Sequence, residues 1–354
     1  NMFGQSLLSG AFGTALVPGE NFNTVLYTGN DVSHAITGVG FQPDLVWIKR
    51  RNSSEDHALY DSIRGINKQL SSNTNAAEVT NTAPNEGFTS FDTDGFTVNN
   101  NGATNRAPNT YVAWNWKAGG AASANTAGTL SSQVSANQNA GFSIVKYDYP
   151  TANSSTVRTV GHGLAVAPEL MIIKPYEGIA TNPGATWFVY NAVSGNTKEM
   201  QLQTDNGDGT DANRWNSTSP TAGASTGVIT LGTSFSSYAA DYYGGDTIAY
   251  CWHSVAGYSK IGSYTATQTA GSPTETTGFK PRWLLVKNLD RQQEWIIVDS
   301  ARGNNPGESL LPNSPGAESS SNSVIFTSTG FTINTTGQGN NYKTGDTMLY
   351  MAFA

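Results

Sequence analysis

GFQPDLVWIKR at residues 40–50 holds a short apolar run, opened by a proline and closed by two cations. About five residues of β-branched, aromatic and leucine side chains, bounded by turn residues, make a buried strand rather than a helix. Proline is tolerated there because it stands at the strand's start, where no ladder hydrogen bond is lost. The same phrase returns as GLAVAPELMIIK at 163–174 and GFKPRWLLVK at 278–287. The three prolines, Pro43, Pro168 and Pro281, lie 125 and 113 residues apart.

Other marks follow each proline in one order. HALYDSIRG (57–65) and WIIVDSARG (295–303) place Asp61 and Asp299 each 18 residues after their proline. The middle copy, WFVYNAVSG (187–195), has Asn191 at 23 residues and no arginine, with EGIATNPGAT as the place for an inserted loop. FDTDGFTV (91–98) matches FTSTGFTI (326–333), and LGTSFSSY (231–238) is the weaker middle counterpart. YVAWNW (111–116), IAYCWH (248–253) and MLYMAF (348–353) close the copies; VLYTGN (25–30), SIVKYDY (143–149) and SKIGSYT (259–265) open them.

Such self-similarity is the signature of a repeat architecture. With many short strands and recurrent Gly/Asn/Asp turns, it predicts an all-β chain of three tandem antiparallel β-sandwich or jelly-roll domains. The expected division is an N-terminal arm at 1–19, repeats at 20–120, 141–256 and 257–354, and a flexible Ala/Ser/Gly/Asn linker at 121–140. The first joint should therefore bend more than the second. INKQLSSN (66–73) is the one expected short helix.

Composition narrows the function. The chain has 354 residues, 13% charged, with a net charge of −7. No Lys/Arg-rich run supplies the footprint of nucleic-acid binding. No apolar stretch approaches the ~20 residues of a membrane helix. One cysteine, Cys251, excludes an intrachain disulfide framework, and inside an aromatic strand it reads as a buried, inert thiol. The four histidines share no metal-ligand spacing, and no GxSxG elbow occurs. So little charge on so many strands implies edges hidden against neighbouring subunits, in a homo-oligomer or a host assembly.

Four groups of residues attract functional readings. Asp205, Asp208 and Asp211 in DNGDGTD could bring oxygens to Ca²⁺, or form a Gly/Asp turn. Trp215, in the polar insertion DANRWNSTS, with Tyr242 and Tyr243 in DYYGG, could form a receptor or glycan contact, rings covering sugar faces while amides fix hydroxyls. Asp61 with Arg64, and Asp299 with Arg302, recur at one spacing, which favours a structural turn. No catalytic residues and no required cofactor are expected, and the chain reads as no enzyme.

The string GFQPDLVWIKRR, LYDSIRG, LSSNT, FDTDGFTV and YVAWNWKAGG, continued by GHGLAVAPELMIIK and DTIAYCWHSVAGYSKIGSYT, resembles a repeat of tail-fibre-like and other structural proteins of marine bacteriophages, cyanophages included. The likeness runs from about residue 22 through nearly the whole chain. It implies a virion structural protein exposed on the particle surface, partnered by other virion proteins and by a host surface glycan or receptor. The family offers no catalytic or ligand residues to carry over. A capsid decoration protein and a secreted or surface lectin are the alternatives.

Overall fold

In the computed structural model, residues 16–354 are described except 82–85, 151–155, 178–185, 216–226, 238–244 and 304–307. Most of the expected arm, and Tyr242 and Tyr243, lie outside the described residues. Each repeat builds one large antiparallel sheet on the same plan. Its opening strand (Phe22–Thr28, Phe142–Tyr149, Ser259–Thr265) pairs with its closing strand (Thr110–Trp116, Gly245–Trp252, Thr347–Phe353). The closing strand pairs on its other side with the proline-led strand (Leu45–Arg50, Leu170–Pro175, Trp283–Asn288). That strand pairs with an aspartate- or asparagine-ended strand (Ala58–Asp61, Phe188–Asn191, Ile296–Asp299). The fold is all-β.

A smaller sheet covers one face of each large one. It holds His34–Thr37, Gly95–Val98 and Phe88–Asp92 in the first repeat, and Thr274–Thr276, Gly330–Ile333 and Val324–Phe326 in the third. In the middle repeat, among the described residues, it is Arg158–Gly161 with Val228–Leu231. The register makes VITL (228–231) the true counterpart of GFTV and GFTI, because Val228 faces Gly161 as Gly95 faces Thr37 and Gly330 faces Thr276. LGTSFSSY instead leads into a short helix, Thr233–Ser237. The glycine of the mark is a packing demand: a Cβ on Gly95 or Gly330 would stand 2.0 or 1.8 Å from a carbonyl oxygen of the paired strand.

Alternation along the proline-led strand explains why its run is apolar throughout. Val46 and Ile48 face the first repeat's own core, with Tyr60, Phe88 and Phe96. Leu45 and Trp47 face the other way, into a second core that also takes residues of the other two repeats, among them Ile172, Trp252, Trp283 and Phe353. Both faces of each proline-led strand are thus dry, which an alternating polar strand could not survive. Rings lock the shared core: Phe22 stacks on Phe353 at 4.9 Å, and Trp116 meets Trp283 at 5.5 Å and Trp252 at 6.2 Å.

Two expectations are corrected here. The stretch 121–140 is not a loose connector: Ser123–Asn125 and Ser132–Asn137 are strands that widen the middle repeat's sheet to eight. Its small, polar residues suit the thin outer side of a sheet as well as they suit a linker. INKQLSSN holds no helix; Lys68–Gln69 pairs with Val79–Thr80, since no apolar stripe of helical period holds the segment to the core.

Candidate functional site

The richest polar chemistry lies at the joints between repeats, built three times from corresponding residues. Lys49, Lys174 and Lys287 are the penultimate residues of the proline-led strands, and all three are fully buried. Each ammonium donates to a carbonyl of another repeat: Lys49 to Pro315, Lys174 to Asn75 and Lys287 to Asp205, each at 3.1 Å. First reaches third, second reaches first and third reaches second, so the joints close a ring. Burial pushes Lys174 down to about 7 and Lys49 and Lys287 down to about 8.

The residue heading the next strand repeats the ring. Trp187 Nε1 donates to the Ser71 carbonyl at 2.9 Å, and Trp295 Nε1 to that of Gln201 at 3.1 Å. In the first repeat His57 takes this place, accepting from Trp47 Nε1 on Nδ1 at 2.8 Å and reaching the Leu311 carbonyl with Nε2 at 3.0 Å. Desolvation holds its pKa well below the usual range, so the ring is neutral.

The repeated Asp and Arg sit at the same joints. Asp61 Oδ1 accepts from the amides of Ile63 and Arg64, closing an Asx turn, while Oδ2 takes the Arg64 guanidinium at 2.5 Å. Asp299 and Arg302 match this, with Nε to Oδ2 at 2.6 Å. Each aspartate has one further donor from a neighbouring repeat: Tyr250 Oη for Asp61 at 2.8 Å, Trp114 Nε1 for Asp299 at 2.9 Å. Burial opposes the charge of Arg64, yet Asp61, with Tyr250 and Glu78, holds its pKa above the ordinary value. Burial keeps Tyr250 protonated, as its donor role requires.

The middle repeat departs in matched fashion. Asn191 replaces the aspartate and Ser194 the arginine. At the register position of Trp114 and Tyr250 the third repeat carries Met351, which offers no strong donor. A buried carboxylate needs both its cation and its donors; where the turn lacks its arginine and the neighbour brings no donor, the chain carries a neutral amide.

This scheme also places the acidic cluster. The amides of Glu78, Glu318 and Asp208 donate to the carbonyls of Tyr176, Arg51 and Leu289 respectively, so the three acids correspond. Glu78 pairs with Arg64 at 3.0 Å and Glu318 lies 3.7 Å from Arg302; Asp208 bonds the Ser194 hydroxyl that stands in the arginine's place. Asp205 takes Gln292 at 3.2 Å, and Asp211 holds Ser234 and the Asn213 amide. The three carboxylates go to separate partners, and among the described residues no three His, Cys, Asp or Glu side chains could hold a metal ion.

Trp215 is a further correction. It is fully buried, edge-on to Tyr190 at 5.5 Å and Phe235 at 5.4 Å in the middle repeat's own core. Polar neighbours in sequence concealed an anchor that fastens the insertion to the sandwich. What sequence reading passed over is the lysine near the end of each proline-led strand. Its signal was a cation at one position of a buried strand in every copy.

Residues 17–354 match a single family along their whole length. The chain belongs to that family, described as a domain of unknown function (DUF7483). The family's span takes in all three repeats and the joints between them. No curated protein and no solved structure matches the chain.

Proposed function

We propose that the protein is a structural, non-enzymatic virion component, a subunit of a tail fibre or similar appendage that also touches the host surface. One observation carries the non-enzymatic part. The constellations that could pass for catalytic groups, Asp61–Arg64–Tyr250 and Asp299–Arg302–Trp114, are fully buried and spent on holding repeats together. Catalysis asks for groups free to act on a reacting atom, whereas each of these is committed to its neighbours in the fold. Placement on a virion is supported by the phage-like string of motifs and by the low-charge, strand-rich composition. The middle repeat's sheet ends in short strands, Ser123–Asn125 and Gly209–Thr210, with mostly exposed residues, suited to contact with further subunits in a homo-oligomer.

Cryo-electron microscopy of phage particles purified from cells that produce the chain tests this reading. Density on a tail appendage is the expected result. Density tiled over the capsid replaces the appendage with the decoration role. Particles that lack the chain overturn the virion reading and leave the lectin.

A further inference from the structure

We propose that a groove along the joint between the first and second repeats binds a neutral saccharide. The inference deepens the host-contact part of the reading above and rests on it. Two concavities, of about 460 and 550 Å³, meet at the Lys146–Asp246 pair, whose side chains are about one-third exposed and 2.8 Å apart. Each volume falls within the ~300–1,000 Å³ of ordinary ligand sites.

The floor of the first chamber is set before any ligand arrives. Arg64 is held by Asp61 and Glu78, and Tyr176 donates to Asp246 at 3.0 Å. The Tyr176 ring lies under two cations, Arg64 at 5.7 Å and Lys146 at 5.9 Å. Such pre-ordering removes much of the entropic cost of binding.

Charge then selects the ligand. Lys68 pairs with Glu78, Arg64 with Asp61 and Glu78, and Lys146 with Asp246. Glu177 and Asp148 add negative charge to the lining, so no surplus positive field draws a phosphate or sulfate, and an anionic ligand would have to break a pair against that charge. A hydroxyl both donates and accepts, so it can bridge an ammonium and a carboxylate and leave both satisfied. The second chamber adds the Thr126 hydroxyl, the Gln133 amide and the apolar edge of Ile63, which suits the C–H face of a sugar ring.

The other joints differ at the deciding position. Where the groove has Tyr176, the joint of the third and first repeats has Arg51, which reaches Glu318 at 2.8 Å and Glu308 at 3.2 Å. The joint of the second and third has Leu289, which carries no polar tip. Ser123–Asn125, which flanks the second chamber, belongs to the middle repeat's enlarged sheet.

The test uses the full chain on an array of neutral and sulfated oligosaccharides, followed by calorimetric titration of the strongest neutral binder. Gln133→Trp fills the second chamber from an exposed strand position, and Lys146→Met removes the bridging ammonium. Lys343→Met, exposed on the third repeat, is the control. The expected result is neutral-glycan binding that each groove variant weakens by about tenfold or more, the loss of one good polar contact, with the control unchanged and all melting alike. Neutral glycans bound equally by every variant overturn the site but leave host contact standing. Binding of sulfated glycans alone, or of none, overturns the proposal. Where the chain sits on the particle is read separately by microscopy, so the two readings fail independently.

Discussion

The joint between the first and second repeats and the joint between the second and third fill the same place with opposite chemistry. One buries Asp61, Arg64 and the Tyr250 hydroxyl together; the other has Asn191, Ser194 and Met351. The aspartate occurs where the neighbour's closing strand carries an N–H or O–H donor, and the amide where it carries a thioether. Ionisation inside this protein is thus a property of the joint, shared between residues almost two hundred positions apart in sequence.

The strongest way to break that comparison is to remove one member. Arg64→Met leaves Asp61 buried without its cation and should cost about 3–5 kcal/mol in urea unfolding. Ser194→Ala at the neutral joint should cost about 1 kcal/mol. Equal losses would sink the distinction. Grafting the neutral pattern whole, as Asp61→Asn with Arg64→Ser and Tyr250→Met, should restore much of what Arg64→Ser alone removes. The triple variant should lie within about 2 kcal/mol of the parent, because replacing a complete buried ion network is often nearly neutral.

The lysines sharpen the comparison through pH, since every joint has one. Their folded pKa values, about 7 for Lys174 and about 8 for Lys49 and Lys287, lie below the ~10.4 of an unfolded chain. Between these limits the unfolded state binds more protons, so stability must rise with pH. Melting temperature should climb from about pH 7 to 9.5, before unfolded tyrosines begin to ionise, and flatten in a Lys49/Lys174/Lys287→Met variant. A slope that survives the substitutions would assign it to other groups. The smallest effect is expected at Asp205, whose carboxylate takes a Gln292 amide on the surface while its backbone carbonyl serves Lys287. Asp205→Ala should stay within about 0.5 kcal/mol, with or without added calcium.

Much of this was legible in the residues. The apolar run after Pro43, Pro168 and Pro281 announces a buried strand, and the 18-residue interval to Asp61 and Asp299 announces a repeated turn. Neither says what covers the second face of that strand. Leu45 and Val46 look alike in sequence, yet one faces the shared core and the other the repeat's own. Trp215 misled because polar letters on both sides say nothing of a ring turned inward, and residues 121–140 because small polar residues serve outer strands and linkers equally. The donors to Asp61 and Asp299 come from Tyr250 and Trp114, too distant in sequence for any spacing rule to pair.

The shared core has a thermal consequence. A string of independent sandwiches would melt in stages, each repeat absorbing roughly 70 kcal/mol for its ~100 residues. Here no repeat can let go without wetting the inner faces of the other two. The calorimeter should therefore record one sharp peak, with an enthalpy on the order of 200 kcal/mol.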